Sequence, residues 1–278
     1  MRWGAALAVV LSPCGLASAS PPPYPWLPAY DASHSVAKRV KPPLGYQYLR
    51  GAEGSFAEWL LNLPLKPGRP PVRLYDGRQK PNQAAHFAVL DLDVGRENLQ
   101  QCADAIIRLR AEYLYHRGQN SSIRFNFTSG HRADFSRWAE GYRPVVSGRQ
   151  VSWVKTAARD SCYRSFRAYL RTVFIYASTR SLVRQLLAVP DIRDIRSGDV
   201  LIQPGSPGHA MIVVATAGNR RGEKVFLLAQ SYMPAQDVHL VRNPANLRLN
   251  PWYEMPAGDQ IVTPEWVFSR RDLRRFLE

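Results

Sequence analysis

The stretch that most constrains the fold runs from Gly198 to Ser231. Val200-Leu201-Ile202, Ala210 to Ala215 and Val225 to Ser231 are three apolar runs of high strand propensity. The loop Gln203 to Gly208 and a turn around Gly218 to Gly222 separate them. Strands joined by short glycine-bearing turns form a β-meander, so an antiparallel sheet is predicted here. The clearest helix runs from about Glu97 to His116, where Cys102, Ile106, Leu109 and Tyr113 fall on one stripe. Such a stripe calls for an apolar surface to cover it, and the meander supplies one. The class expected is α+β, a helix packed on an antiparallel sheet.

The flanking segments are less regular. Residues 20–45, rich in proline and aromatics, read as an extended arm ahead of a single domain at 46–278. Ser55 followed by Glu58 has capping-box spacing for a short helix. Val72 to Tyr75, His86 to Leu92, Ile123 to Phe127 and Val151 to Val154 read as strands. Ser161 to Leu187 reads as a long helical stretch, broken or not, Gln260 to Phe268 as a further segment, and the basic C-terminus as a closing helix. Residues 118–190 are then a largely helical insertion.

The first residues bear on location. Met1-Arg2-Trp3, the apolar run Gly4 to Leu11 and the small residues Gly15 to Ala19 have the layout of a secretory signal peptide at 1–19. The apolar run is short of the ~20 residues that span a bilayer. Lipid attachment at Cys14 is the competing reading, and Pro13 before the cysteine fits it poorly. No transmembrane segment is expected in the mature chain. Formal net charge is +15, which favours an anionic partner. The arginines are scattered and no nucleic-acid-binding motif appears, so a cell-envelope polymer or peptide is expected and nucleic acid is not.

Two resemblances follow from particular residues. Gly198-Asp199-Val200-Leu201-Ile202 with Gly208-His209-Ala210-Met211-Ile212-Val213-Val214 resembles the histidine block of papain-like, NlpC-type cell-wall hydrolases. The chain is also similar to an uncharacterised bacterial family, number 4846 among the domains of unknown function. Leu99 to Asp104, Phe125 to Thr128 and Ala229 to Pro234 carry that likeness. The first resemblance implies a papain-like fold with a cysteine opening a helix, a histidine opening a strand and a polar residue on the next strand. In this sequence those are Cys102, His209 and Gln230. The gap from Cys102 to His209 is longer than in NlpC-type chains, and the insertion at 118–190 would fill it.

Geometry gives an independent reason to pair the last two. A turn centred between Asn219 and Arg220 sets His209 opposite Gln230, and opposed residues share a sheet face. An amide there can hold the imidazole in one tautomer, whereas a one-residue slip would invert the face. Cys102 stays open among three readings. It is a first-turn nucleophile if Asn98 to Gln101 is a loop, a buried thiol if the helix starts at Glu97, or a disulfide partner of Cys162. Trp138, Arg132, Tyr142 and Ser206 are candidates for substrate contact. Ser129, Ser206 and Ser231 lack a nucleophile-elbow context. His86, Asp91, Asp93 and His131 lack metal-ligand spacing, so neither metal nor cofactor is expected. The expected function is exported cysteine-dependent hydrolysis of an envelope peptide or amide bond. The rivals are a non-catalytic envelope-binding protein on the same fold and a metal-dependent hydrolase.

Overall fold

The structure, a computed structural model, describes residues 23–277. The expected signal peptide and Cys14 lie outside the described residues. The chain builds nine strands into one mixed sheet-and-helix body. The strands are β1 (Tyr46–Tyr48), β2 (His86–Val89), β3 (Leu186–Ala188), β4 (Val200–Gln203), β5 (His209–Asn219), β6 (Lys224–Gln230), β7 (His239–Val241), β8 (Tyr253–Glu254) and β9 (Leu273–Phe276). The order across the sheet is β2-β7-β6-β5-β4-β9-β3, with β1 on the far end of β5 and β8 on β6. Every pairing is antiparallel. The predicted meander is its centre, β4-β5-β6.

Both faces of that centre are buried, which is why its strands read as unbroken apolar runs. Ala210, Ile212 and Val214 face a core shared with Ala103, Ile106 and Leu109 of α2 (Cys102–His116) and with α1 (Phe56–Leu61). Met211, Val213, Phe226 and Leu228 face a second core, closed by Ile261 and Phe268. Those two residues sit on the hairpin formed by Gln260–Val262 and Val267–Ser269.

The β5–β6 register differs from the symmetric hairpin. Near the turn Lys224 pairs with Gly218 and Leu227 with Ala215, but Leu228 pairs with Val213. Val214 is therefore an extra residue, a β-bulge. Its effect is large because side chains alternate faces. Carried on unbroken, the first register would set Gln230 across from Ile212, on the face away from His209. The bulge restores parity, and Gln230 falls diagonal to His209 on the same face.

Several elements depart from expectation. The helix predicted from Glu97 begins at Cys102. Ser161 to Leu187 divides into α3 (Tyr163–Tyr176), a short helix Thr179–Leu182 and β3. The basic C-terminus is strand β9, inserted between β4 and β3. Its Leu273 enters the second core while Arg275 grips Asp199 through two bonds of 2.6 and 2.8 Å. Residues 23–45 are no loose arm, since Tyr24, Val36 and Val40 are core residues. Val72 to Tyr75 makes only isolated bridges. The insertion docks on the C-terminal half of α2, where Tyr115 stacks on Phe166 at 4.5 Å.

Candidate functional site

The site grows from the question of why α2 starts where it does. Arg108, fully buried one and a half turns into the helix, reaches back to the loop before it. Its guanidinium donates to Gln100 Oε1 (2.7 Å), Asp93 Oδ1 (2.6 Å) and the Asp93 carbonyl. Ser231 donates to the Gln100 carbonyl (3.0 Å), and Asn98 Oδ1 accepts from the Ala235 amide (2.7 Å). These bonds hold 93–101 as a loop against the β6–β7 connection. Gln101 becomes the N-cap, its amide donating to Asp104 Oδ2 (3.1 Å). Cys102 is thus the first helical residue, half-buried, among the amides that a helix start leaves without intrahelical partners.

His209 opens β5 directly after a loop that only glycine permits. A Cβ on Gly208 would lie 2.6 Å from the Gly205 nitrogen and 2.9 Å from the Gln203 carbonyl oxygen. The Ala210 amide, next along the strand, lies beside Cys102 and favours its thiolate form. The histidine ring is boxed by Tyr232, Trp266 and Phe268, with centroids at 4.6, 5.3 and 5.9 Å.

The hydrogen bonds around Gln230 fix a tautomer without any proton being seen. His239 Nδ1 lies 2.9 Å from the Asp237 carbonyl, which only accepts, so Nδ1 carries the proton and Nε2 is an acceptor. Gln230 Nε2 lies 3.2 Å from that Nε2 and 2.8 Å from Glu265 Oε2, so it donates to both. The amide oxygen is thereby turned to His209 Nε2 at 2.7 Å, and the ring must donate there. His209 Nδ1 is left with its lone pair. Behind this array Lys80 pairs with Glu265, a buried cation that balances the carboxylate.

The charges at rest are low. Burial pushes the Cys102 thiol up to about 11, Asp104 adding to the rise while the Ala210 amide opposes it. Burial holds His209 down at about 4, against the bond from Gln230. Burial also raises Asp104 well above the usual carboxylate range. The pair rests as neutral thiol and neutral imidazole.

A family described as "Domain of unknown function (4846)" matches residues 36–275. The chain belongs to that family. No curated protein and no solved structure matches the chain.

Within this DUF4846 domain the sequence candidates separate into two groups. His209 and Gln230 come together, with Cys102 at the neighbouring amide. Cys102 and Cys162 are both thiols, so no bridge joins them. Ser206 is exposed in the loop that leads to His209. The other three sit in the insertion and are engaged there. Trp138 is buried, donates to Ser165 (3.2 Å) and carries Arg143 on its face at 3.8 Å. Arg132 pairs with Asp134, and Arg137 covers Tyr142 at 5.3 Å. Ser231 is structural, as is Asp199 of the resembled block, which ties Arg275 and the Arg196 amide. Among the described residues no three His, Cys, Asp or Glu side chains converge as metal ligands, so His86, Asp91, Asp93 and His131 form no such set. No helix among the described residues is long and apolar enough to cross a membrane. His239, Glu265 and Lys80 were invisible in the sequence, because each comes from a segment with no motif of its own.

Proposed function

We propose that the protein is a cysteine-dependent amide or ester hydrolase with a papain-like arrangement of helix and sheet. The observation that carries this reading is the locked tautomer of His209. Its Nε2 is committed to Gln230, its Nδ1 keeps its lone pair, and the next amide along the strand favours the thiolate of Cys102. In the reaction the Cys102 sulfur attacks the carbonyl carbon as its proton passes to His209 Nδ1. The C–N or C–O bond then breaks, and His209 returns the proton to the leaving group. Water, deprotonated by the same nitrogen, hydrolyses the thioester. First-turn amides of α2 are suited to the oxyanion. Because the resting pair is neutral, proton transfer accompanies attack. The signal-peptide pattern and the charge of +15 support export and an anionic envelope substrate such as a wall stem peptide.

The surroundings of Cys102 favour the binding-protein reading instead, since burial pushes its thiol up and away from the reactive thiolate form. The experiment is hydrolysis of wall stem peptides, followed by mass spectrometry, alongside labelling with a peptidyl chloromethyl ketone. Cleavage is expected to vanish in Cys102→Ala and to fall roughly 10²–10⁴-fold in His209→Ala. A smaller fall is expected in Gln230→Ala, which frees the ring. No cleavage and no adduct on Cys102, with wall binding retained, would establish the non-catalytic reading.

A further inference from the structure

A second site lies at the other end of β5. A cavity of about 560 Å³ opens between the Leu49–Ala57 segment, the Ile195–Asp199 turn, Thr216 and the end of β9. Thr216 is seven residues along the strand from His209, roughly 20 Å at the usual strand rise. The cavity is therefore separate from the Cys102 cluster, and its size is that of small-molecule pockets.

Its charge is one-sided. Arg50, Arg110, Arg196, Lys224 and Arg275 line it, and Asp199 is the one acid among the described lining residues. Asp199 is consumed by the two-bond grip of Arg275. Arg110 is occupied with Phe56, Tyr113 and Phe276, at 5.0 to 5.4 Å from each ring centroid. Three cations remain. Arg50 and Arg196 have no carboxylate within ion-pair distance among the described residues. Lys224 donates to the Arg193 carbonyl (2.7 Å), which leaves its charge uncompensated. Like charges gathered in one concavity raise the local potential and repel one another until an anion enters.

We propose that this cavity binds a small molecule bearing a diphosphate group. The charge decides the class. A terminal phosphate carries about −1.5 to −2 at neutral pH and the phosphate that links it to the rest of the molecule about −1, so the two together match three cations where a single carboxylate would not. Guanidinium forks suit phosphate oxygens, and the Ser197 and Thr216 hydroxyls, 3.4 Å apart, add donors on one wall. Phe56, Phe276 and Leu49 give an apolar wall for the rest of the ligand.

The test is calorimetric titration of the full-length chain with inorganic pyrophosphate at 150 mM salt (about physiological, where surface attraction is screened). Saturable one-to-one binding is expected, at least tenfold weaker for orthophosphate. Arg50→Ala/Arg196→Ala is expected to weaken it by tenfold or more. Arg149→Ala/Arg248→Ala, which removes two exposed arginines elsewhere, is expected to leave it unchanged. Equal losses in the two pairs would reveal general attraction to a basic chain, and absence of saturable binding would overturn the site outright. Both pairs are exposed, so unchanged melting confirms that the fold is intact in each arm.

Discussion

Histidine burial makes the stability of this protein depend on pH in a defined direction. His209 is held at about 4 and His239 at about 3, in both cases chiefly by burial. In the unfolded chain the same groups take up protons near pH 6.5. Below that pH the unfolded state binds more protons than the folded one, so stability falls as pH drops from about 6.5 towards 4 and 3. Each histidine contributes a slope of up to about 1.4 kcal/mol per pH unit in that window. Urea denaturation between pH 7 and pH 4 is expected to show the loss, with a shallower slope in His239→Gln. A profile flat across that range would mean that these rings are not buried as neutral groups.

At the scale of elements, the start of α2 is the sensitive point. A carboxylate–guanidinium array crosses from α2 to α3. Glu112, fully buried, takes bonds from Tyr163 (2.8 Å) and Arg108 (3.3 Å), and Arg167 binds Asp93 with both Nη atoms (3.1 and 2.9 Å). Burial would raise Asp93, but Arg108 and Arg167 outweigh it and hold the carboxyl below the usual range. Arg108→Met removes the centre of this array and leaves Glu112 as a buried acid with one partner fewer. A loss of about 3–5 kcal/mol is expected from breaking such an array on one side. The loop 93–101 should loosen with it, so iodoacetamide labelling of Cys102 is expected to quicken. Unaltered labelling would show that the helix start does not depend on Arg108.

For the whole molecule, the sheet is closed by its last residues. β9 pairs with β4 through Leu273 and Arg274 and with β3 through Arg274 to Phe276. Ending the chain after Arg270 would expose the edge of β4 next to β5 and uncover the second core under Leu273. A chain so shortened is expected to lose its cooperative melting transition by calorimetry. A retained transition would mean that β3 and β9 form an appendage and not part of the central sheet.

Local sequence settled the parts of this protein that depend on short-range pattern. The β4-β5-β6 meander and the body of α2 follow from apolar periodicity and turn residues, whereas the symmetric register that set His209 directly opposite Gln230 is replaced by a bulged one. Contacts between distant segments decided the rest. Glu97 to Gln101 has no local reason to leave the helix, and it does so because Arg108, Ser231 and the Ala235 amide bind it elsewhere. The arginine-rich C-terminus resembles a helix face until Asp199 and two strand edges make it β9. The shared face of His209 and Gln230 hangs on one extra residue, Val214, since strand side chains alternate and a bulge shifts the parity. Pattern along the chain reports what each segment can bury; which partner buries it is a property of the packed whole.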